Sequence, residues 1–172
     1  MNIEEYLKRQ PQFKQTVVGY LIRDNRIILG RRIRVSHNLG ENLIAGVGGK
    51  LESGETYDEA FVREFIEEFG TYEDGNIVCR PLKFKAVGNI KYLNVNDKWD
   101  IQMEVYICTE WEGEPVKTES MQPVGPYAFE DIPYDEMWED NRLFLPKILE
   151  GKRVEGIVLY EGGKVKESYF EF

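Results

Sequence analysis

Three glutamates lie close together near the middle of the chain, at Glu64, Glu67 and Glu68. A helix has about 3.6 residues per turn, so positions i, i+3 and i+4 project from one face. Hard divalent cations such as Mg²⁺ and Mn²⁺ prefer oxygen ligands and keep several waters, which leaves room for phosphate oxygens in the coordination shell. A cation held there can polarise phosphorus and acidify an attacking water. The spacing therefore predicts a helix face that binds metal and serves phosphate chemistry.

The same segment has a second, apolar face. The residues that form it are Phe61, Val62, Phe65, Ile66 and Phe69. Their recurrence at helical spacing predicts an amphipathic helix from about Tyr57 to Phe69 that stops at Gly70. Because the carboxylates lie on a different face, one side of the helix can pack on the domain while the acidic side stays available. Carboxylates at this spacing repel one another by roughly a few tenths of a kcal/mol per pair, and bound metal reverses that repulsion.

A glycine-rich loop comes before this helix. Gly46, Gly48 and Gly49 have no side chain, so the backbone here can approach the acidic face closely. We therefore expect one further metal ligand in this loop, a backbone carbonyl that we assign to Gly48. Gly54 suits the turn that leads into the helix.

Residues 48–71 read GGKLESGETYDEAFVREFIEEFGT and resemble the Nudix box, G-x5-E-x7-R-E-U-x-E-E-x-G-U, in which U is a bulky apolar residue. The matching positions are Gly49, Glu55, Arg63, Glu64, Phe65, Glu67, Glu68 and Gly70. Only the last position departs, where Thr71 replaces an apolar residue, and that change concerns local packing rather than metal binding.

This resemblance implies both a fold and a reaction. The fold is a Nudix-type α/β/α sandwich with a mixed sheet. Glu64, Glu67 and Glu68 are implied to bind Mg²⁺, with Mn²⁺ as the alternative. Arg63 and Glu55 are implied to steady the loop and the helix by pairing. Water then attacks a phosphorus, and the bond that breaks is a pyrophosphate.

Beyond this box, the chain resembles the MutT-like enzymes, which are oxidised-purine nucleoside triphosphate diphosphatases of the 8-oxo-dGTP type. The segments GVGGKLESGE, GEPVKTESMQP, DIPYDEMWED and GIVLYEGGKVKESYF follow in that family's order and spacing, from about Thr16 onward. The resemblance implies a base pocket at Trp138, Asp140 and Asn141, where the family places a tryptophan and a pair of acids. Ala45 stands where the family has a purine-binding asparagine.

The residues of this pocket favour a particular base. A guanine-like edge offers an acceptor at O6 and donors at N1 and N2. Asp140 can accept from these donors and Asn141 can donate its amide to O6, whereas a second carboxylate could do so only when protonated. Stacking on Trp138 would add about 1 to 3 kcal/mol, on the scale seen for bases in nucleic-acid binding. We therefore expect a preference for oxidised guanine nucleotides such as 8-oxo-dGTP.

Several charged residues are open to two interpretations. Glu119 lies in KTESM, where related enzymes place an additional metal-binding acid, but its register is shifted by one residue. It is either a metal ligand or a surface glutamate. The proton of the attacking water passes to Glu67, Glu68 or Glu119, and the sequence does not select among them. Arg31 and Arg32 end a predicted strand, where solvation is favoured over contact with a phosphate.

Two other functions remain open. The first keeps the reaction and changes the substrate to ADP-ribose, a dinucleoside polyphosphate or a pyrimidine triphosphate, which the departures at Ala45 and Asn141 allow. The second is a non-catalytic nucleotide-sensing module that retains the fold. Such a module could dispense with the three carboxylates, and their presence favours an enzyme.

The rest of the chain predicts the elements that hold these residues. Strands are expected at 16–22, 26–29, 78–93, 99–111, 156–160 and 164–170, and turns at 24–25, 94–98 and 161–163 are expected to pair the strands on either side. Helices are expected at 2–9, 57–69 and 141–149. Residues 34–49 read as irregular, and the stretch that contains Pro115, Pro123 and Pro126 reads as a loop. Strands mixed with two longer helices predict an α/β fold, a sheet covered by helices on its faces.

The size and charge of the chain limit its partners. At 172 residues it suits one domain, residues 1–172, with residues 1–14 as an N-terminal extension. Its net charge of −9 opposes nucleic-acid binding and makes any phosphate chemistry depend on metal. No apolar run approaches the roughly 20 residues that span a membrane. The two cysteines are isolated in the sequence, which suits a reducing compartment and predicts a cytoplasmic protein. We expect a small nucleotide as partner. The sequence does not indicate an oligomeric state, and we assign no role to His37, the only histidine.

Overall fold

The computed structural model describes residues 1–33, 42–96 and 99–172. Within these ranges the helices are α1 (Ile3–Leu7), α2 (Tyr57–Phe69) and α3 (Asn141–Leu149). The strands are β1 (Phe13–Arg23), β2 (Arg26–Arg32), β3 (Ile44–Ala45), β4 (Val47–Lys50), β5 (Cys79–Val95), β6 (Asp100–Gly113), β7 (Met121–Ala128), β8 (Val154–Glu161) and β9 (Lys164–Glu171). His37 lies outside the described residues.

One mixed sheet contains all of these strands. Its order is β3-β2-β1-β6-β5-β8-β9, with β4 paired to β1 and β7 paired to β2. Strand β1 runs parallel to β6, and β5 runs parallel to β8. The other pairs in the described part of the chain are antiparallel. The predicted mixed sheet is therefore confirmed.

Two apolar cores lie on opposite faces of this sheet. Successive residues of a strand point to opposite faces, and in β1 Val17 and Leu21 belong to one core while Tyr20 belongs to the other. The first core takes its helical residues from α2 and the second from α3. The sheet thus carries one of these helices on each face, which confirms the predicted α/β/α sandwich.

Most predicted elements are confirmed. Helices α2 and α3 have the predicted bounds. The hairpin of β1 and β2 turns at Asp24 and Asn25, whose φ angles of 53° and 55° lie in the left-handed region. Strand β5 pairs antiparallel with β6, and β8 with β9, as the sequence patterns predicted.

Two loop predictions are wrong. The segment expected to be irregular up to residue 49 contains β3 and most of β4, and the proline-containing loop contains β7. Strand β4 reads VGGK, and its glycines hide the alternation by which strands are recognised. Strand β7 tolerates Pro123 and Pro126 because, in the described part of the chain, it pairs with β2 alone and keeps one free edge.

The N-terminal segment packs on the domain. Tyr6 of α1 is buried with Leu93 and Leu159. Its hydroxyl donates to the carboxylate of Asp100 at 2.9 Å. Strand β1 begins at Phe13, so the segment outside the sheet is shorter than the predicted extension of residues 1–14. Among the described helices, none is long and apolar enough to cross a membrane.

The contact between α2 and β1 requires a glycine. A Cβ at Gly19 would lie 2.1 Å from the ring of Phe61, which is fully buried. We expect Gly19→Ala to lower the free energy of unfolding by about 1 to 3 kcal/mol, because the helix must move away from the strand. Urea denaturation measures this loss. The double variant Gly19→Ala/Phe61→Leu should lose less stability than the sum of the losses in the two single variants, because the smaller side chain leaves room for the new methyl group. Strict additivity of the two losses would contradict the overlap.

Candidate active site

Helix α2 is fixed at both ends. The hydroxyl of Thr56 accepts from the Glu59 amide at 3.2 Å, and the Glu59 carboxylate accepts from the Thr56 amide at 3.4 Å. At the other end, the hydroxyl of Thr71 donates to the Ile66 carbonyl at 2.8 Å. This contact explains how a polar Thr71 replaces the apolar residue of the sequence motif. The acidic residues of α2 are therefore presented from an element with both ends capped.

Arg63 is the centre of the acidic face. Its guanidinium binds both carboxylate oxygens of Glu55, at N···O distances of 2.6 and 3.0 Å. It also donates to Glu64 at 2.9 Å, to Glu67 at 3.2 Å and to the Lys50 carbonyl at 2.9 Å. The expected pairing of Arg63 with Glu55 is thus present, and the hydrogen bond from Arg63 lowers the pKa of Glu55. One cation offsets the repulsion among several acids.

On the acidic face, Glu68 is buried and Glu64 is half-buried. Glu68 is 6% exposed, and its Oε2 accepts from the Gly48 amide at 3.1 Å. Burial raises the pKa of Glu68 to about 8, although Arg32 and the Gly48 amide act in the opposite direction. Burial also raises the pKa of Glu64, against the effect of Arg63. A further cation nearby would favour the ionised form of both carboxyls.

The three carboxylates share one helix face, but they do not form a complete metal cluster. Across residues 1–33, 42–96 and 99–172, no three acidic, histidine or cysteine side chains form a ready-made metal cluster. Arg63 and the Gly48 amide hold the carboxylates, and the binding of metal by Glu64, Glu67 and Glu68 stays a prediction. The donors still fit a hard divalent cation, since all are carboxylate oxygens. Gly49 also leaves space beside Glu64, where a Cβ would lie 2.3 Å from Oε1.

Arg32 influences the acidic face of α2, an effect that the sequence pattern did not indicate. Its charge favours the ionised forms of Glu64 and Glu68. Arg31 instead binds Glu136 at 3.0 Å and donates to a loop carbonyl at 2.9 Å. Neighbouring residues of a strand point to opposite faces, so the two arginines have different surroundings. Both arginines are half-buried, and the expectation that solvation is favoured over contact with a phosphate stays a prediction.

On the other face of the sheet, Asp140 and Asn141 lie in a network of tyrosine hydroxyls. Both residues are buried. Tyr160 and Tyr92 donate to the two oxygens of Asp140, at 2.6 and 2.7 Å. Tyr20 donates to Oδ1 of Asn141 at 3.0 Å. Burial raises the pKa of Asp140, while the two hydroxyls oppose that rise.

Strand alternation predicts Tyr20, Tyr92 and Tyr160 only as part of the sheet core. They come from three different strands: β1, β5 and β8. Alternation assigns each of them to a face of the sheet, but it does not say which residue lies across from them. The register between strands decides that, and it brings all three hydroxyls to the start of α3.

The remaining candidates for base binding lie near this network or in β3. Trp138 is half-buried, with its ring edge-on to Tyr160 at a centroid distance of 6.1 Å. Its carbonyl accepts from Nδ2 of Asn141 at 3.1 Å. Ala45 is half-buried and pairs with Gly30 of β2. The structure thus brings the tryptophan, the acid and the amide of the predicted pocket together.

Glu119 is exposed and lines an open cavity of about 760 Å³ beside the C-terminal end of α2. Its neighbour Thr118 donates a hydroxyl hydrogen bond to the Glu68 carbonyl at 3.0 Å. Glu119 therefore lies close to the acidic helix. Within the described ranges, however, it does not complete a metal cluster with the carboxylates of α2.

Fold and site together define an α/β sandwich that presents an arginine-braced acidic helix beside a glycine-rich strand. The family model of the NUDIX domain matches residues 13–148. The chain therefore belongs to the NUDIX domain family, a family of hydrolases that generally use divalent metal ions.

Several relatives share most of this sequence. The oxidized purine nucleoside triphosphate hydrolase of Danio rerio is 29% identical over 145 residues, which cover 84% of this chain and 85% of the relative. The protein of the same name from Mus musculus is 26% identical over 149 residues, or 87% and 88% of the two chains. The 8-oxo-dGTP diphosphatase of Escherichia coli (strain K12) is 32% identical over 102 residues, or 59% and 70%.

Solved structures share the fold. The MutT protein from Bacillus halodurans superposes with a TM-score of 0.73 at 16% identity, covering 92% of this chain and 98% of that one. The MutT NUDIX hydrolase from Burkholderia pseudomallei gives a TM-score of 0.66 at 21% identity, with coverage of 80% and 98%. These similarities concern the fold alone, and they confirm the predicted fold class.

Glu68→Gln separates the charge of this residue from its hydrogen bond. Glutamine keeps an acceptor for the Gly48 amide and cannot ionise, which avoids the cost of a buried charge, so we expect the metal-free variant to melt at the wild-type temperature or above it. Mn²⁺ should raise the melting temperature of the wild type and leave that of the variant unchanged. Thermal unfolding with and without Mn²⁺ measures both effects. Glu112→Gln, at an exposed acid of β6, should keep the full response; an equal response in Glu68→Gln would exclude Glu68 as a ligand.

Proposed function

We propose that the protein hydrolyses an oxidised purine nucleoside triphosphate, with 8-oxo-dGTP as the leading substrate, to the monophosphate and pyrophosphate. The observation that carries the proposal is the acidic face of α2, where one arginine braces Glu64 and Glu67 while Glu68 is buried against β4. Membership of the NUDIX family supports cleavage of a pyrophosphate bond. The names of the relatives support an oxidised purine substrate.

The proposed metal is Mg²⁺, with Mn²⁺ as a substitute. When bound, a divalent cation supplies polarisation of a phosphate oxygen and acidification of water. Glu64, Glu67 and Glu68 are its proposed ligands. The Gly48 carbonyl and Glu119 are proposed as additional ones. The acidity of the whole chain supports a need for metal, because a carboxylate-rich site repels a polyphosphate.

Arg63 and Glu55 act as positioning residues in this proposal. Their bidentate ion pair fixes the plane of the guanidinium, because two parallel hydrogen bonds allow one orientation only. The remaining N–H groups of Arg63 then set the directions of the Glu64 and Glu67 carboxylates. Glu68 is held differently, because its carboxylate accepts from the Gly48 amide of β4.

The base is proposed to bind between Trp138 and the pair of Asp140 and Asn141. Both oxygens of Asp140 accept tyrosine hydroxyls, so its free lone pairs suit further donors such as the N1 and N2 hydrogens of guanine. Asn141 uses its oxygen on Tyr20 and one amide hydrogen on a backbone carbonyl, which leaves one hydrogen for O6. Ala45 contributes a methyl group and no hydrogen bond. This combination favours a guanine-type edge.

The cellular role that follows is sanitation of the nucleotide pool, which we propose takes place in the cytoplasm. The substrate is then a free nucleotide rather than a nucleic acid. Cys79 and Cys108 are buried as free thiols, which suits a reducing compartment.

A panel of nucleotides tests this function. Purified protein is incubated with 8-oxo-dGTP, dGTP, dCTP, dTTP or ADP-ribose in the presence of Mg²⁺, and the products are separated by ion-exchange chromatography. We expect the fastest turnover with 8-oxo-dGTP, release of pyrophosphate rather than phosphate, and complete loss of turnover with EDTA. Faster turnover of dCTP, dTTP or ADP-ribose would contradict the proposed substrate. It would favour a hydrolase for another substrate, such as ADP-ribose, a dinucleoside polyphosphate or a pyrimidine triphosphate, and the apolar Ala45 is the observation that supports this alternative.

Trp138→Ala tests the proposed position of the base. Loss of stacking should raise KM by about 5- to 150-fold, the equivalent of about 1 to 3 kcal/mol, and should lower kcat much less. Steady-state kinetics with 8-oxo-dGTP measure both constants. Trp99→Ala is the control, because this tryptophan is exposed and belongs to neither proposed site. A fall in kcat at constant KM would show that Trp138 acts in some other way.

A further inference from the structure

The C-terminal turn of α2 carries Glu68 and depends on contacts from outside the helix. The last four carbonyls of a helix have no N–H partner within it. In α2, the Ile66 carbonyl keeps a backbone partner, the Gly70 amide at 2.9 Å, and accepts in addition from the Thr71 hydroxyl at 2.8 Å. The Phe69 carbonyl accepts from the Val116 amide at 2.8 Å. Neighbouring segments therefore supply the missing donors.

Thr118 connects Glu68 to the sheet. Its hydroxyl donates to the Glu68 carbonyl at 3.0 Å and accepts from the Met121 amide at 3.3 Å. The Thr118 amide in turn donates to the Met121 carbonyl at 3.0 Å. Met121 is fully buried in β7, where it pairs with Arg32 of β2. The hydroxyl is therefore anchored to a strand, although Thr118 itself lies in a loop.

Glu68 is thus held from two sides. Its carboxylate accepts from the Gly48 amide of β4, and its carbonyl accepts from Thr118 beside β7. Helical turns depend on tertiary contacts for most of their stability, and the residue that ends this helix, Gly70, is a poor helix former. Without the contact at the carbonyl, the last turn could unwind and the carboxylate would leave the Gly48 amide.

We propose that Thr118 is a positioning residue, which sets the place of the Glu68 carboxylate in the site through the Glu68 carbonyl. The inference rests on the proposed function, because it assumes that Glu68 serves a metal-dependent reaction. Thr118 touches neither substrate nor metal in this role. Thr71 makes the matching hydroxyl-to-carbonyl bond to Ile66, whose side chain is apolar, and so provides a control at the same helix end.

Three variants test the proposal: Thr118→Val, Thr118→Ser and Thr71→Val. One lost hydroxyl hydrogen bond is expected to weaken Mn²⁺ binding, measured by calorimetry, by about three- to tenfold in Thr118→Val. Exchange of the Gly48 amide hydrogen should accelerate by a similar factor, because its acceptor is no longer held. Thr118→Ser should restore both values. Thr71→Val should leave both within about twofold of the wild type, whatever its effect on the melting temperature.

Two results would overturn the proposal. One is wild-type Mn²⁺ affinity together with wild-type exchange at Gly48 in Thr118→Val. The other is an equal loss in Thr71→Val, which would indicate general loosening of the helix end. Should Thr118→Val fail to fold, Thr118→Cys keeps a similar size with a weaker donor and takes its place.

Turnover provides an independent measurement. In an active enzyme, Thr118→Val should lower kcat for 8-oxo-dGTP about three- to tenfold while KM stays the same. Metal binding and amide exchange require no turnover. Absence of hydrolysis in the wild type would therefore contradict the proposed function, while the role of Thr118 would still be decided by the other two measurements.

Discussion

The guanidinium of Arg63 is the interaction on which the acidic face of α2 depends. Carboxylates at helical spacing repel one another, and Arg63 offsets that repulsion by binding Glu55, Glu64 and Glu67 at once. It also ties the helix to the Lys50 carbonyl of β4. This contact fixes the distance between α2 and β4. At that distance the Gly48 amide can donate to the Glu68 carboxylate.

The apolar face of α2 supplies the rigidity that this arrangement needs. Three phenylalanines pack on β1, where Gly19 leaves room for the ring of Phe61. The packing face and the acidic face are different sides of one helix. A substitution that shifts the helix on the sheet therefore also shifts the carboxylates. The cost of crowding acids on a helix is offset by apolar burial elsewhere on the same element.

Local pattern was sufficient to predict α2 with its bounds and the hairpins, since each depends on residues close in sequence. The pairing of Arg63 with Glu55 instead followed from the resemblance to the Nudix box. It failed for β4 and β7, whose glycines and prolines carry no alternation. It did not reveal the effect of Arg32 on Glu64 and Glu68 or the tyrosines around Asp140, because these residues come together from distant parts of the chain. Spacing along one helix likewise could not show that Arg63 and the Gly48 amide would hold the carboxylates before any metal does.

The two halves of the site differ in how far apart their parts lie along the chain. Gly48 and Glu68 are separated by 20 residues, whereas Tyr20 and Asn141 are separated by 121. Contacts across long separations cost more loop entropy and form later in folding. Since synthesis proceeds from the N-terminus, the acidic half can assemble while the C-terminal strands are still inside the ribosome. A nascent chain would thus complete the acidic face of α2 before the tyrosine network around Asp140 can form.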